Sequence, residues 1–343
     1  MSYHWTNGTL FGHTGTRERR PLTSGTPESL TSTRPLYLNV AFPQNSTRVH
    51  EWAAHSTYLS LAPVYTFMSQ SVPLVEGNAI TLDLSAEELD AQRDHITSFI
   101  QAVVDDAGAD GAVIGLSGGI DSTLTATLAV EALGADSVHG LVMPSDVNTD
   151  QNMSDAERVA QWLEIEYDVL DINPIVDAFF EAYPEGVDDQ MAAGNVRVRT
   201  RAVLNYFVAN AESGVVLGTG NRSEAMTGYF TKYGDQAVDC NPIGNLYKRQ
   251  VRQLASHIGV ADDLVEKAPS AEMWEGQTDE EEMGLDYDTL DAVLALHVDG
   301  PFSKSATTES LGVPESAIDR VVDLVEQSAH KRSMPPAPAT LHR

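Results

Sequence analysis

A chain of 343 residues in which 21 Lys and Arg face 50 Asp and Glu carries a net charge of −29, while 42% hydrophobic residues supply ample material for a core. That charge excludes a general nucleic-acid binder, which needs cations against phosphate, and disfavours docking on anionic lipid for the same reason. Self-repulsion of this size is relieved where salt screens charges over a few ångströms, so the composition reads as a halophile's cytoplasmic protein.

Residues 1–75 differ from the rest. Five arginines (Arg17, Arg19, Arg20, Arg34, Arg48) and three glutamates give this block +2, leaving −31 for residues 76–343. It is rich in Thr, Ser, Pro and Gly without a sustained period, the pattern of a poorly structured N-terminal extension. Met68 lies just before the composition changes, and the functional polypeptide is expected to start near it. The apolar stretch Tyr58–Val75 is broken by Pro63 and Pro73, so no membrane span is expected, and no basic-then-apolar secretory signal opens the chain. Cys240 stands alone, which excludes an internal disulfide and a multi-thiolate metal site; it is expected to pack as a small side chain. Residues 76–335 are expected to form one catalytic domain, followed by a flexible tail over 336–343.

From Ser85 the pattern is regular. Ser85-Ala-Glu-Glu88 has an N-cap signature and opens a helix with Leu89, Ile96, Phe99, Ile100 and Val103 toward one face. The apolar run 111–116 predicts a strand, followed by a helix from about Ser122 to Leu133. Strands at Val138–Met143, Glu166–Ile172 and Val215–Leu217 alternate with helices at Ser154–Leu163, up to Ala182, and Met191–Ala211. Such alternation predicts an α/β fold, a doubly wound parallel sheet with helices on both faces, and a ligand site beyond the carboxyl ends of the strands. Two glycine-rich segments fall at such ends. The acidic runs 279–282 and 286–291 read as solvated faces.

The strongest chemical signal is Gly115-Leu-Ser-Gly-Gly-Ile-Asp-Ser122, between a strand and a helix. Adjacent glycines let backbone N–H groups approach an anion, and the helix start adds a positive dipole end. Ser117 and Ser122 offer hydroxyls. Asp121 would repel a phosphate unless Mg²⁺ sits between them. The plainer alternative is a Gly-Ser turn capped by Asp.

This string resembles the pyrophosphate loop of the N-type ATP pyrophosphatases, and it lacks the Gly-Lys-Ser/Thr ending of a Walker loop. Downstream, Leu217-Gly-Thr-Gly-Asn-Arg-Ser-Glu-Ala-Met-Thr-Gly-Tyr-Phe-Thr-Lys-Tyr-Gly-Asp235 resembles NAD⁺ synthetases. So do Asn195–Arg201, Tyr247–Gln250, Lys267–Glu272 and His330–Arg332, in order and without long insertions. Arg197, where members often carry Gln, and a shortened stretch at Trp274–Thr278 depart from the pattern.

The resemblance implies ammonia-dependent, ATP-driven conversion of deamido-NAD to NAD⁺ through an acyl adenylate, with AMP and pyrophosphate released. ATP would meet the loop residues Gly115, Leu116, Ser117, Gly118, Gly119, Ile120, Asp121 and Ser122, with Thr219, Lys248 and Ser270. Asp121 and Glu224 would share Mg²⁺. Arg199, Lys232, Asp239, His330 and Lys331 would contact the dinucleotide, and Asp235 would handle ammonium. Blander readings stand beside these: Glu224 and Lys248 as solvated residues, Ser270 and Asp235 as turn residues, His330-Lys331 as a frayed end. Glutamine-dependent relatives carry a separate amidase domain with a catalytic cysteine; with about 85 preceding residues and no cysteine among them, free ammonia is the expected donor. The resemblance also implies a homodimer. Rival readings are a GMP-synthetase-like amidating enzyme and a non-catalytic nucleotide sensor.

Overall fold

A computed structural model describes residues 82–148, 150–270 and 277–340. The expectations for the N-terminal extension, for Met68, for the shortened stretch around Trp274 and for the last three residues of the tail lie outside the described residues. Residues 336–340 are exposed coil.

The elements run α1 (Ala86–Ala107), β1 (Gly111–Leu116), α2 (Ile120–Leu133), β2 (Val138–Val142), α3 (Asp150–Trp162), β3 (Glu166–Val169), α4 (Asn173–Ala182), α5 (Gln190–Glu212) and β4 (Gly214–Leu217). All pairings are parallel, in the order β3-β2-β1-β4. The chain winds one way from β1 through β2 to β3, then crosses back to lay β4 on the opposite side of β1. The switch point therefore lies between β1 and β4, where such sheets open a crevice at the strand carboxyl ends.

Alternation along each strand feeds two cores. Ala112, Ile114 and Leu116 of β1, Val138 and Val142 of β2, and Val215 and Leu217 of β4 pack with α1, α2 and the later helix Lys248–His257. Val113, Leu141, Met143 and Val216 face the other way, against residues of α4 and α5. This period of two, buried on both sides, makes the strands read as continuous apolar runs.

The remaining helices are α6 (Arg222–Thr227), α7 (Lys248–His257), α8 (Asp262–Val265), α9 (Asp279–Met283), α10 (Tyr287–Val293), α11 (Lys304–Leu311) and α12 (Glu315–Gln327). Tyr247, Met283, Tyr287, Leu290, Val293, Leu294, Ile318 and Val321 close a third cluster, which packs the C-terminal helices beside α6 and α7.

Four expectations need correction. On α1 the buried stripe is Leu89, Ile96, Ile100 and Val104; Phe99 is 41% exposed and Val103 only half-buried. A turn of 100° per residue puts Phe99 off the stripe that Ile96, Ile100 and Val104 share at intervals of four. The third strand ends at Val169, and α2 begins at Ile120, so Asp121 and Ser122 lie in its first turn. The acidic runs are not simply solvated: Asp279 and Asp291 are buried, each with a hydrogen-bond partner.

Candidate active site

The first wall of the site is the turn from β1 into α2. Gly118 takes φ +73°, which a side chain would strain, and Gly119 is the N-cap of α2. A glycine cap has no side chain to satisfy the first-turn N–H groups, so these remain for a ligand. The hydroxyls of Ser117 and Ser122 lie 3.1 Å apart, and Ser122 donates to the Gly119 carbonyl, which braces the turn from within.

The second wall is the turn from β4 into α6. A Cβ on Gly218 would collide with Oδ1 of Asn241, so only glycine lets the 236–241 segment pack over this strand end. Asn221 N-caps α6: its Oδ1 accepts the Glu224 N–H at 3.0 Å, and its own N–H donates to the Glu224 carboxylate at 3.2 Å. Its Nδ2 donates to Asp121 Oδ1 at 2.8 Å, joining the two walls.

Lys248 opens α7 with its side chain buried. Its Nζ lies 2.5 Å from Asp121 Oδ2 and 3.4 Å from Glu224 Oε1, and sits 5.3 Å from the centre of the Tyr287 ring. Burial works against its charge, but Asp121 and then Glu224 overcome it and hold Lys248 above the ordinary lysine range. For Glu224, burial and then the Asp121 carboxylate push the carboxyl up to about 8, against the pull of Lys248. One ammonium does not fully compensate this carboxylate pair.

Asp291 fixes the backbone of Lys248. It accepts the Arg249 N–H at 2.8 Å and the Ser223 hydroxyl at 2.5 Å, and that hydroxyl oxygen accepts the Lys248 N–H at 2.9 Å. Burial raises the Asp291 carboxyl to about 6, opposed by Ser223 and Arg249.

These walls enclose a cavity of about 590 Å³. The structure brings to its lining Gly115, Leu116, Ser117, Gly119, Ile120, Asp121, Ser122, Thr219, Glu224, Lys248 and Ser270, together with Arg199, Lys232, Asp235 and Lys331. Ser270 donates to the Gln277 carbonyl at 2.7 Å. Arg199 reaches the Lys232 carbonyl at 3.1 Å, Lys232 reaches the His330 carbonyl at 2.7 Å, and Lys331 donates to the carbonyls of Gly228 and Phe230 at 2.7 and 2.8 Å. Asp235 accepts the Thr231 N–H at 2.6 Å; its side chain is open to the cavity, yet the protein packed around it desolvates the carboxyl and raises its pKa despite that bond.

Gly118, Asp239 and His330 are not among the lining residues. The Gly118 carbonyl accepts Lys267 Nζ at 3.2 Å. Asp239 holds the sheet instead, accepting the Val216 N–H at 2.7 Å and the Tyr206 hydroxyl at 3.1 Å. Burial lifts the Cys240 thiol to about 11, which suits a packed residue rather than a nucleophile.

Sequence reasoning missed Asn221, Ser223, Asp291 and Lys267. Asn221 had a local signal, Asn-x-x-Glu at a helix start. Lys267 opens a segment that carries the family resemblance, but its pairing with the buried Asp155, 2.8 Å away and 112 residues distant in the chain, had no local signal.

Residues 93–335 match the NAD synthase family. An NH3-dependent NAD(+) synthetase of Halobacterium salinarum is 62% identical over 259 residues, 76% of this chain and 97% of that protein. Among solved structures, the NMN synthetase of Francisella tularensis superposes with a TM-score of 0.65 at 34% identity, over 75% of this chain and all of that one. The NH3-dependent NAD synthetase of Campylobacter jejuni, in complex with the nitrate ion, gives 0.63 at 29% identity over the same shares. A glycine-lined crevice at the β1–β4 switch point, a partly buried Asp121–Lys248–Glu224 cluster and these matches lead to one conclusion: the chain belongs to the NAD synthase family.

Proposed function

We propose that the chain converts deamido-NAD (nicotinic acid adenine dinucleotide) to NAD⁺ with ATP and free ammonia, the final step of NAD biosynthesis. The observation that carries this reading is the convergence of Asp121, Glu224 and Lys248 where two glycine-lined strand ends meet. The Halobacterium salinarum relative, covered almost whole, supports ammonia as the nitrogen donor.

In this reading the nicotinate carboxylate attacks the α-phosphorus of ATP, a P–O bond breaks, and pyrophosphate leaves, giving an acyl adenylate. Ammonia then attacks the acyl carbon, the C–O bond to AMP breaks, and a proton leaves the nitrogen as the amide forms. The first step brings anions together, so its main demand is neutralisation. The first-turn N–H groups of α2 and the Lys248 ammonium meet it. Asp121 and Glu224 present only hard oxygen donors, and a carboxylate raised by burial and then by its Asp121 neighbour, with one ammonium between them, fits a further cation. They are the proposed Mg²⁺ ligands; the ion, when bound, supplies charge neutralisation and polarises phosphoryl oxygen. Thr219 and Ser270 would hydrogen-bond ATP, and Arg199, Lys232 and Lys331 would meet the dinucleotide's anionic groups. Asp235, which lines the cavity and whose carboxyl is made more basic by the surrounding desolvation, is the proposed acceptor of the ammonia proton.

The catalytic domain is proposed to span 76–335 and to act as a cytoplasmic homodimer. Among the described residues no helix is long and apolar enough to cross a membrane. Support for the dimer comes from α4 and α5, where Phe179, Met191, Val203 and Phe207 are all more than half exposed, Phe207 to 70%.

Protein in high potassium chloride with ATP, Mg²⁺ and ammonium, offered deamido-NAD, nicotinate mononucleotide or xanthosine monophosphate, tests the reading. NAD⁺ and AMP in equal amounts are expected. Amidation of the mononucleotide alone, or amination of the xanthosine nucleotide alone, would replace it.

A further inference from the structure

A second, smaller cavity of about 230 Å³ backs onto the first. Its wall includes Met283, Leu324 and Gln327, and it shares Gly228, Tyr229 and Lys331 with the main cavity. These three residues form the partition between the two spaces. Gly228 has φ +69°, and a Cβ there would collide with Ser328, so only glycine lets Ser328 and Lys331 pack this closely against the partition. Lys331 pins it, donating to the carbonyls of Gly228 and Phe230. The outer rim is formed in part by Gln327, the exposed last residue of α12.

We propose that this side cavity is the access route for ammonia, leading past Lys331 to the acyl carbon. The inference rests on the synthetase reading and adds the path of its smallest substrate. Ammonia is needed only once ATP and the dinucleotide have reacted, and at that moment both nucleotide moieties would still occupy the main cavity. A separate opening removes the conflict. A narrow one also limits water at an adenylate that water would hydrolyse.

The lining suits the neutral molecule. Among the described residues none that lines the side cavity is a carboxylate, and the one charge is the Lys331 ammonium, shared with the main cavity. Ammonium carries the large cost of desolvating a charge there and meets a like charge; neutral ammonia carries a much smaller one and meets no repulsion. Burial draws Lys331 below the ordinary lysine range, opposed by Asp235, which lines the main cavity and not the side one.

Lys331 also couples the route to the larger substrate. Its two bonds are to neutral carbonyls, and an anionic group of the dinucleotide competes for the same ammonium with a stronger, charge-assisted bond. Seating the dinucleotide therefore loosens the pin.

The test uses the full chain with Gln327→Trp, which adds bulk at an exposed rim position, and Leu324→Phe, which narrows the wall. Two quantities are read: KM for each of the three substrates, and deamido-NAD-dependent exchange of pyrophosphate into ATP without ammonia. The expected result is a rise of about fivefold or more in the ammonium KM, with exchange and the other two KM values unchanged. An unchanged ammonium KM in both variants, with exchange intact, overturns the route. So does a parallel rise in all three KM values. Absence of exchange in the wild-type protein overturns the synthetase reading itself, and the route with it.

Discussion

Asn221 donates from Nδ2 to Oδ1 of Asp121 at 2.8 Å, tying together two strand ends that lie 100 residues apart in the chain. The same side chain caps α6 and orders Glu224, three residues on. One fully buried amide thus sets the spacing of the two carboxylates proposed to hold the cation.

Asn221→Ser separates these roles. Serine caps a helix about as well as asparagine, but its hydroxyl is too short to bridge to Asp121. Turnover is expected to fall about tenfold or more, while urea unfolding reveals a stability loss of about 1 kcal/mol. A variant with full turnover would show that the bridge is only structural.

Asp121→Asn keeps volume and removes a charge. Its loss leaves Lys248 paired with Glu224, so the fold should persist. A drop in kcat of about 100-fold or more, with an unchanged circular dichroism spectrum, is the expected outcome.

Glu224 gives stability a pH dependence of defined sign. Its carboxyl is raised from 4.5 in the unfolded reference to about 8 in the fold. An acid with a raised folded pKa contributes stability that is complete below 4.5 and is lost as pH rises through about 8. Over this window the melting temperature of metal-free protein should carry a falling component that Glu224→Gln removes. Because a bound cation favours the ionised carboxylate, added Mg²⁺ should restore stability most at the alkaline end.

Phe207→Glu places a charge on the exposed apolar face of α5. Light scattering should show a shift from dimer toward monomer that Phe207→Leu does not produce. Identical masses for wild type and both variants would locate the dimer contact elsewhere, or remove it.

What was legible in the sequence was local. The run Gly111–Leu116 ending in Ser-Gly-Gly and the run ending at Leu217-Gly-Thr-Gly each declare a strand, its end and a turn, and both strands have those bounds to within a residue. Their parallel pairing follows from the helices between them. The distant contacts were not legible. Asp291 sits in a run of acidic residues that looks solvated, and only the packing of α10 against α6 and α7 turns it inward to cap the helix that begins at Lys248. Asp279 is drawn inward in the same way, by the Tyr287 hydroxyl. Asp239 shows the converse, since an acid assigned to the dinucleotide by resemblance is used by the fold to hold the Val216 N–H. Charge reveals composition, but the partner of a charge is decided by tertiary structure.

The most direct measurement is a crystal grown with ATP and Mn²⁺ in place of Mg²⁺, with the anomalous signal of the manganese located. The account requires a peak within direct coordination distance of a carboxylate oxygen of both Asp121 and Glu224, and of ATP phosphate. Manganese bound to the phosphates but touching neither carboxylate would contradict it.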